Sequence, residues 1–192
     1  DVCSSDLEMP KAYDKFFVET WVDSALKSFT SRNFKVIGET GHVYGYGKSV
    51  WAMIDLETRQ PADILAVRGG LITEYIETEY SCPIEKSSRV KMSADATPVR
   101  SIDTYYNDVD INGHINSVKY IEHMLDLWDV AWYKQHRIKR FEIAYVAESH
   151  QGDKLHFYRE QRETETDFNV RITKSNVEGE ETEVCRCRVQ FV

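Results

Sequence analysis

Three polar side chains that could act together on a carbonyl group occur at alternate positions in the second half of the sequence. They are Asp110, Asn112 and His114, within residues 108–120. In an extended segment, residues two apart point to the same side, so a carboxylate, an amide and an imidazole would share one side. Beside the start of a helix, such a set could polarise a carbonyl and move a proton. Taken alone, the same spacing also fits a turn that caps a helix.

An amphipathic helix is predicted directly after these residues. Val118, Ile121, Leu125 and Trp128 recur at spacings of three and four, which gives a helix one apolar face. Asn116 is a typical N-cap residue, because its side chain can accept a backbone N–H of the first turn. The helix would therefore begin where the polar run, residues 108–116, ends.

Strand-like stretches lie on both sides of this helix. One precedes the polar run at residues 97–106, and four follow the helix, at residues 138–148, 154–163, 167–174 and 182–192. The order of strand, long helix and antiparallel meander predicts an α+β layer arrangement in which a curved sheet wraps a helix. This is the order of a hot-dog fold.

The first half of the chain contains a similar meander without a long helix in front of it. Residues 16–29, 33–37 and 44–56 predict three antiparallel strands, and Pro61 opens a short helical turn. We therefore predict a partial N-terminal hot-dog over residues 8–75, which lacks its first strand and central helix. A linker over residues 76–96 and a complete C-terminal hot-dog over residues 97–192 would follow.

The composition excludes several classes of protein. A net charge of −8 argues against broad nucleic-acid binding. No apolar run is long enough to span a bilayer, and the first ten residues lack the apolar core of a secretory signal. The four cysteines fit no zinc spacing and indicate a reducing, cytoplasmic setting. We expect no metal or other cofactor, and we expect four further histidines to be structural or exposed: His123, His136, His150 and His156.

Several separated motifs resemble one known family. Residues 108–126 resemble the signature of the acyl-carrier-protein (ACP) thioesterases, the plant fatty-acyl thioesterases and their bacterial relatives. The other similar segments, in family order, are residues 18–23, 32–34, 49–54, 58–62, 83–86 and 141–149. The resemblance implies a double hot-dog that hydrolyses fatty acyl-ACP thioesters, releases free fatty acid and so ends fatty-acid synthesis.

The resemblance also implies a set of functional residues, namely Asp110, Asn112, His114 and Glu148. In this set Glu148 or Asp110 would be the general base for water, and His114 and Asn112 would position the water or carry a proton. Backbone N–H groups at residues 113–116 could bind the oxyanion. Plant relatives often carry a cysteine where this chain has Ser149, so activated water is expected rather than a cysteine nucleophile.

A basic cluster in this acidic chain suggests a partner. Acyl carrier proteins are strongly acidic, so Lys134, Arg137, Lys139 and Arg140 could form their docking patch, although an ordinary solvated surface is an equal alternative. The other expected partner is the fatty acyl thioester. The resemblance leaves the oligomeric state open, with a homodimer as one option.

The beginning of the sequence departs from the family. Residues 1–7 do not resemble it, and we expect them to be a non-native leader on a truncated reading frame, with a natural variable N-terminus as the alternative. Without the first central helix, apolar sheet surface would be exposed and activity would be poor. The alternatives are an acyl-CoA thioesterase, another hot-dog enzyme such as a dehydratase, or a non-catalytic acyl-binding fragment.

Overall fold

The computed structural model describes residues 2–5, 9–87, 90–93, 95–176 and 179–192. The chain divides into two units, Asp1–Ser87 and Ser88–Val192. The predicted leader falls partly outside this description, because residues 1, 6 and 7 are not described. Residues 2–5 form a strand.

Four antiparallel strands build the first unit, in the order β2-β3-β4-β1. Their bounds are β1 Val2–Ser5, β2 Phe16–Leu26, β3 Phe29–Gly38 and β4 Val43–Ala52. The predicted three-stranded meander is confirmed, with its first turn earlier than expected, at residues 27–28. A 3-10 segment, Ile64–Tyr75, follows and is interrupted by non-helical residues at 67–70.

Large apolar side chains of these strands are exposed to solvent. Phe16 on β2 is 50% exposed, Phe29 on β3 is 48% exposed and Trp51 on β4 is 61% exposed. Their exposed parts leave aromatic area in water, which is unfavourable by about 25 cal/mol for each Å². Trp51 pairs with Thr30 and Phe29 with Ala52, so Trp51 and Phe29 point to opposite faces of the sheet. The strands of the first unit therefore expose large apolar side chains on both faces.

The second unit is a five-stranded antiparallel sheet packed on two helices. Its elements are β5 Arg100–Asp103, a 3-10 turn Tyr106–Asp108, α1 Ser117–Leu125, α2 Val130–Gln135, β6 Ile138–Tyr145, β7 Lys154–Gln161, β8 Asp167–Ser175 and β9 Glu181–Phe191. The sheet order is β6-β9-β8-β7-β5. The predicted order of strand, helix and antiparallel meander is confirmed.

The predicted single helix is two helices. The first begins at the predicted N-cap, where Asn116 Oδ1 accepts the N–H of Val118 at 2.9 Å. A second N-cap follows, because Asp129 Oδ1 accepts the N–H of Trp132 at 2.8 Å. Asp129 has an extended backbone, so the apolar periodicity continues past a real break in the helix.

The core of the second unit lies between these helices and the sheet. Tyr120, Met124 and Trp128 are buried against strand residues such as Phe157 and Val170. Each large side chain buried in this way contributes about 1.5–3 kcal/mol. The helical pattern placed Val118 on the apolar face, but this side chain is 53% exposed. The buried face of the first helix is instead centred on Tyr120 and Met124.

Candidate functional site

The polar run is a closed turn and not an extended segment. Val109 and Ile115 form an antiparallel bridge, and the N–H of Asp110 donates to the carbonyl of His114 at 2.8 Å. Gly113 has φ +84°, a conformation that glycine adopts without strain. The prediction that the three polar side chains share one side as in a strand is therefore wrong.

The carboxylate of Asp110 shapes this turn. Its Oδ1 accepts the backbone N–H of Asn112 at 2.8 Å and that of His114 at 3.3 Å. Among the residues described, the hydrogen bonds between Asp110 and His114 use the main chain of His114 and not its imidazole. Asp110 thus fixes the backbone from which His114 projects.

The structure brings His114 together with Glu148, which lies three residues after β6. His114 Nε2 is 3.4 Å from Glu148 Oε2. The N–H of Ile115 donates to the carbonyl of Ser149 at 2.8 Å, so a main-chain bond joins the two segments directly beside the pair. The side chains are 31% and 51% exposed, which leaves both reachable by a substrate.

A second imidazole adjoins this pair. The ring of His150 meets that of His114 edge to face, with centroids 5.0 Å apart. His150 is exposed, and its backbone N–H donates to Asp153 Oδ2 at 2.9 Å. His150 was expected to be structural or exposed, and its position next to His114 was not predicted.

Asn112 occupies a different position from the His114–Glu148 pair. It lies at the tip of the turn, where it is exposed beside the fully exposed Ile111. Within the part of the chain that the structure describes, its side chain makes no hydrogen bond to the other three predicted residues. It is therefore available to a group arriving from solvent.

The expected oxyanion site at residues 113–116 is wrong, because all four backbone N–H groups already have acceptors. The N–H of Gly113 donates to the Asp110 carbonyl at 3.0 Å and that of His114 to Asp110 Oδ1. The N–H of Ile115 donates to Ser149 and that of Asn116 to the Asp108 carbonyl at 2.7 Å. These four N–H groups are therefore not available to an oxyanion.

A second carboxylate–imidazole pair, Asp108 and His123, joins the start of the turn to helix α1 and was not predicted. His123 Nε2 on α1 is 3.0 Å from Asp108 Oδ1, and the N–H of Tyr105 donates to Asp108 Oδ2 at 2.8 Å. Burial raises the pKa of Asp108, but these two hydrogen bonds, together with the charges of His123 and Lys119, hold that pKa below its ordinary value. The sequence offered one signal for this pair, the carboxylate that opens the polar run.

The cysteines of the second unit are unsuited to nucleophilic chemistry. Cys185 and Cys187 on β9 have no exposed surface. Burial raises the pKa of both thiols, so they stay protonated. Ser149, at the position where plant relatives often carry cysteine, is also fully buried. A cysteine nucleophile therefore gains no support.

Part of the proposed basic patch is inaccessible. Arg140 is only 7% exposed, and its Nε donates to Glu142 Oε1 at 2.7 Å, so its inclusion in a surface patch is wrong. Lys134, Arg137 and Lys139 are exposed. The exposed cluster thus consists of the end of α2 and the start of β6.

An aromatic groove of about 540 Å³ opens beside the helix break. Trp128, Trp132 and Phe168 line it, and the Arg159 guanidinium lies 5.2 Å from the Trp128 ring centroid. Arg159 Nη1 also donates to the carbonyl of Leu127 at 2.6 Å. Both tryptophans pack on core phenylalanines, as expected of core residues.

The described residues show neither a metal-binding cluster nor a membrane-spanning helix. No three His, Cys, Asp or Glu side chains in this part of the chain are grouped so that they could hold a metal ion. Over the same residues, none of the helices has the length and apolar character needed to cross a membrane.

Comparison with known proteins identifies the family. The profile of the acyl-ACP thioesterase N-terminal domain matches residues 7–67, and that of the C-terminal domain matches residues 75–191. The palmitoyl-acyl carrier protein thioesterase, chloroplastic, of Arabidopsis thaliana is 30% identical over 135 residues, which cover 68% of this chain and 33% of that protein. The chain thus spans about a third of the length of the curated relatives it matches.

Solved structures agree with this assignment. An acyl-ACP thioesterase from Bacteroides thetaiotaomicron is 46% identical with a TM-score of 0.89, over 100% of this chain and 74% of that one. The 12:0-ACP thioesterase from Umbellularia californica shares the fold, with 20% identity and a TM-score of 0.81 over 100% and 73% of the two chains. The expected hot-dog architecture is confirmed, and this chain belongs to the acyl-ACP thioesterase family.

Proposed function

We propose that this protein hydrolyses the thioester that joins a fatty acyl chain to the phosphopantetheine of an acyl carrier protein. The observation that carries the proposal is the 3.4 Å approach of His114 Nε2 to Glu148 Oε2 at an accessible surface. Membership of the acyl-ACP thioesterase family supplies the substrate class. Release of free fatty acid would end synthesis of the chain.

Water is the nucleophile in this proposal. Glu148 takes a proton from a water molecule as the water oxygen bonds to the thioester carbonyl carbon. The tetrahedral intermediate then collapses to the carboxylic acid, the carbon–sulfur bond breaks, and the leaving thiolate takes from Glu148 the proton that came from the water. Attack by activated water fits the buried, protonated state of Cys185 and Cys187.

His114 and Asn112 serve the carbonyl side of the reaction. An imidazolium or a neutral N–H at His114 donates to the developing oxyanion, and the exposed Asn112 amide supplies a second donor. Asp110 is assigned to the turn, because its Oδ1 already accepts two backbone N–H groups. This division makes Glu148 the base and leaves Asp110 to hold the geometry.

The acyl carrier protein would dock on the exposed cluster of Lys134, Arg137 and Lys139. These cations belong to the same unit as the His114–Glu148 pair, and an acidic carrier would be attracted by them. A cytoplasmic setting and a homodimer remain predictions of the sequence.

A thioesterase assay with purified protein tests the function. The wild-type chain should release thiol from a fatty acyl-ACP, and free fatty acid should appear in equal amount by mass spectrometry. His114→Ala and Glu148→Gln should each lower kcat by a factor on the order of 10² to 10⁴, the usual range for general acid–base residues. His42→Ala, which changes a histidine of the first unit, is the matched control.

Two results would refute the proposal. One is a wild-type protein that folds cooperatively but releases no thiol from acyl-ACP. The other is a faster reaction with acyl-CoA than with acyl-ACP of the same chain length, which would assign the protein to acyl-CoA hydrolysis.

A further inference from the structure

We infer that His123 is a positioning residue that, through Asp108, anchors the His114 turn on helix α1. The anchoring of the turn is argued from geometry alone. The expected effect on kcat rests, in addition, on the proposed function. His123 lies on α1, 15 residues after Asp108, and among the described residues its ring nitrogen pairs with Asp108, whereas Glu148 pairs with His114. Any effect on the reaction must therefore pass through the turn.

Asp108 connects three parts of the molecule. Its carboxylate accepts the N–H of Tyr105 and lies 3.0 Å from His123 Nε2, while its backbone carbonyl accepts the N–H of Asn116 at 2.7 Å. The residue is only 7% exposed. Because a carboxylate only accepts, His123 must carry its proton on Nε2. The hydrogen bond is charge-assisted and is stronger than a neutral one.

Two anchors then fix the His114 turn in space. On the helix side the anchor is the Asp108–His123 pair, and on the strand side it is the bond from the Ile115 N–H to the Ser149 carbonyl. Between them the turn is rigid, because Asp110 closes it with its own backbone and carboxylate. Loss of one anchor would let the turn tilt about the other and lengthen the His114–Glu148 distance.

The surroundings of His123 support this role. Its ring meets Phe157 of β7 edge to face at 6.5 Å, so the core holds the imidazole in place. Lys119, one helical turn earlier, adds attraction to Asp108 but is itself hydrogen-bonded to Glu122 at 2.7 Å. His123 is therefore the group that contacts the buried carboxylate directly from the helix.

Amide hydrogen exchange tests the anchor without any need for activity. The readout is the exchange rate of the Ile115 and Asn116 amides, divided by that of Val170 in the core of β8 in the same sample. His123→Leu should raise this ratio about tenfold, as expected for loss of about one hydrogen bond. His123→Gln, whose amide can donate at a similar reach, should stay within about threefold of wild type. Glu122→Gln, on the exposed side of the same helix, is the control.

Each outcome decides the inference. A raised ratio in His123→Leu with rescue in His123→Gln supports the anchor. An unchanged ratio in His123→Leu overturns it, including the case in which all amides exchange faster together. Equal increases in both variants also overturn it, because the hydrogen bond would then not matter.

Kinetics provides the second readout. With acyl-ACP as substrate, His123→Leu should lower kcat about tenfold and leave KM within about twofold, and His123→Gln should restore kcat. A rise in KM with unchanged kcat would contradict positioning. A wild-type protein without thioesterase activity would refute the proposed function alone, and hydrogen exchange would still decide the role of His123.

Discussion

The backbone N–H of Ile115 donates to the carbonyl of Ser149 at 2.8 Å, which ties the turn before α1 to the segment after β6. His114 and Glu148 are the immediate neighbours of these two residues. Their 3.4 Å separation therefore depends on a main-chain bond one residue away and not on side-chain contact alone. This main-chain bond and the Asp108–His123 pair together hold the turn that carries His114.

Reversing the charge of two exposed lysines should raise KM for acyl-ACP but not for a small thioester substrate. Lys134→Glu with Lys139→Glu should raise KM for acyl-ACP about tenfold at low salt, because an acidic carrier would be repelled. KM for a short acyl-pantetheine thioester should stay unchanged. Steady-state kinetics with both substrates measures the difference, which added salt should reduce. Arg140→Gln is unsuitable for this test, because Arg140 is buried against Glu142. Equal increases of KM for both substrates would show that these lysines do not bind the carrier protein.

The buried thiols should resist alkylation in the folded protein. With iodoacetamide at pH 8, the peptide containing Cys82, which is partly exposed, should become alkylated while those containing Cys185 and Cys187 stay free. The reagent cannot reach the two β9 thiols because they are fully buried. Burial also raises their pKa, so the reactive thiolate does not form. Peptide mass spectrometry reads out the labelling, and guanidinium chloride should expose all three. Rapid native alkylation of Cys185 would contradict its described burial.

Acid should destabilise the second unit in part through Asp108. The folded-state pKa of Asp108 lies below its ordinary value of about 3.9, so its ionised form stabilises the fold above that pH. The stabilisation is complete above about pH 5 and is lost as the pH falls through the folded-state pKa. The thermal midpoint of Asp108→Asn should therefore fall less between pH 5 and pH 3 than that of wild type, by about 2 °C or more.

Differential scanning calorimetry across this pH range makes the comparison. Asp126→Asn, which replaces an exposed carboxylate at the end of α1, serves as the control for removal of a charge. Parallel curves for wild type and Asp108→Asn would show that the Asp108 carboxylate does not contribute to acid stability.

Local patterns in the sequence predicted the strands of the second unit and the start of its helix well. Asn116 caps α1 as its residue type predicts, and the four strands after the helices begin within one residue of expectation. These features depend on side-chain periodicity and on contacts within a few residues. The break at Asp129 was missed because apolar periodicity alone does not reveal an interruption that an N-cap residue creates.

The site was harder to predict, since its contacts join residues far apart in the chain. Alternation of polar residues suggested an extended run, but Asn112-Gly113 is a turn signal, and it determined the backbone there. The acceptor of the Ile115 N–H is the carbonyl of Ser149, which lies far from this turn in the sequence. The contact of His123 with Asp108 depends equally on how the helix is rotated on the sheet.

The turn that carries His114 is closed by hydrogen bonds within itself, and its outermost residue, Ile111, is 100% exposed. A side chain at that point can be replaced without disturbing either the backbone of the turn or the packing beneath it. A substitution at position 111 therefore changes the outermost surface of the turn, while the 3.4 Å approach of His114 to Glu148 is kept.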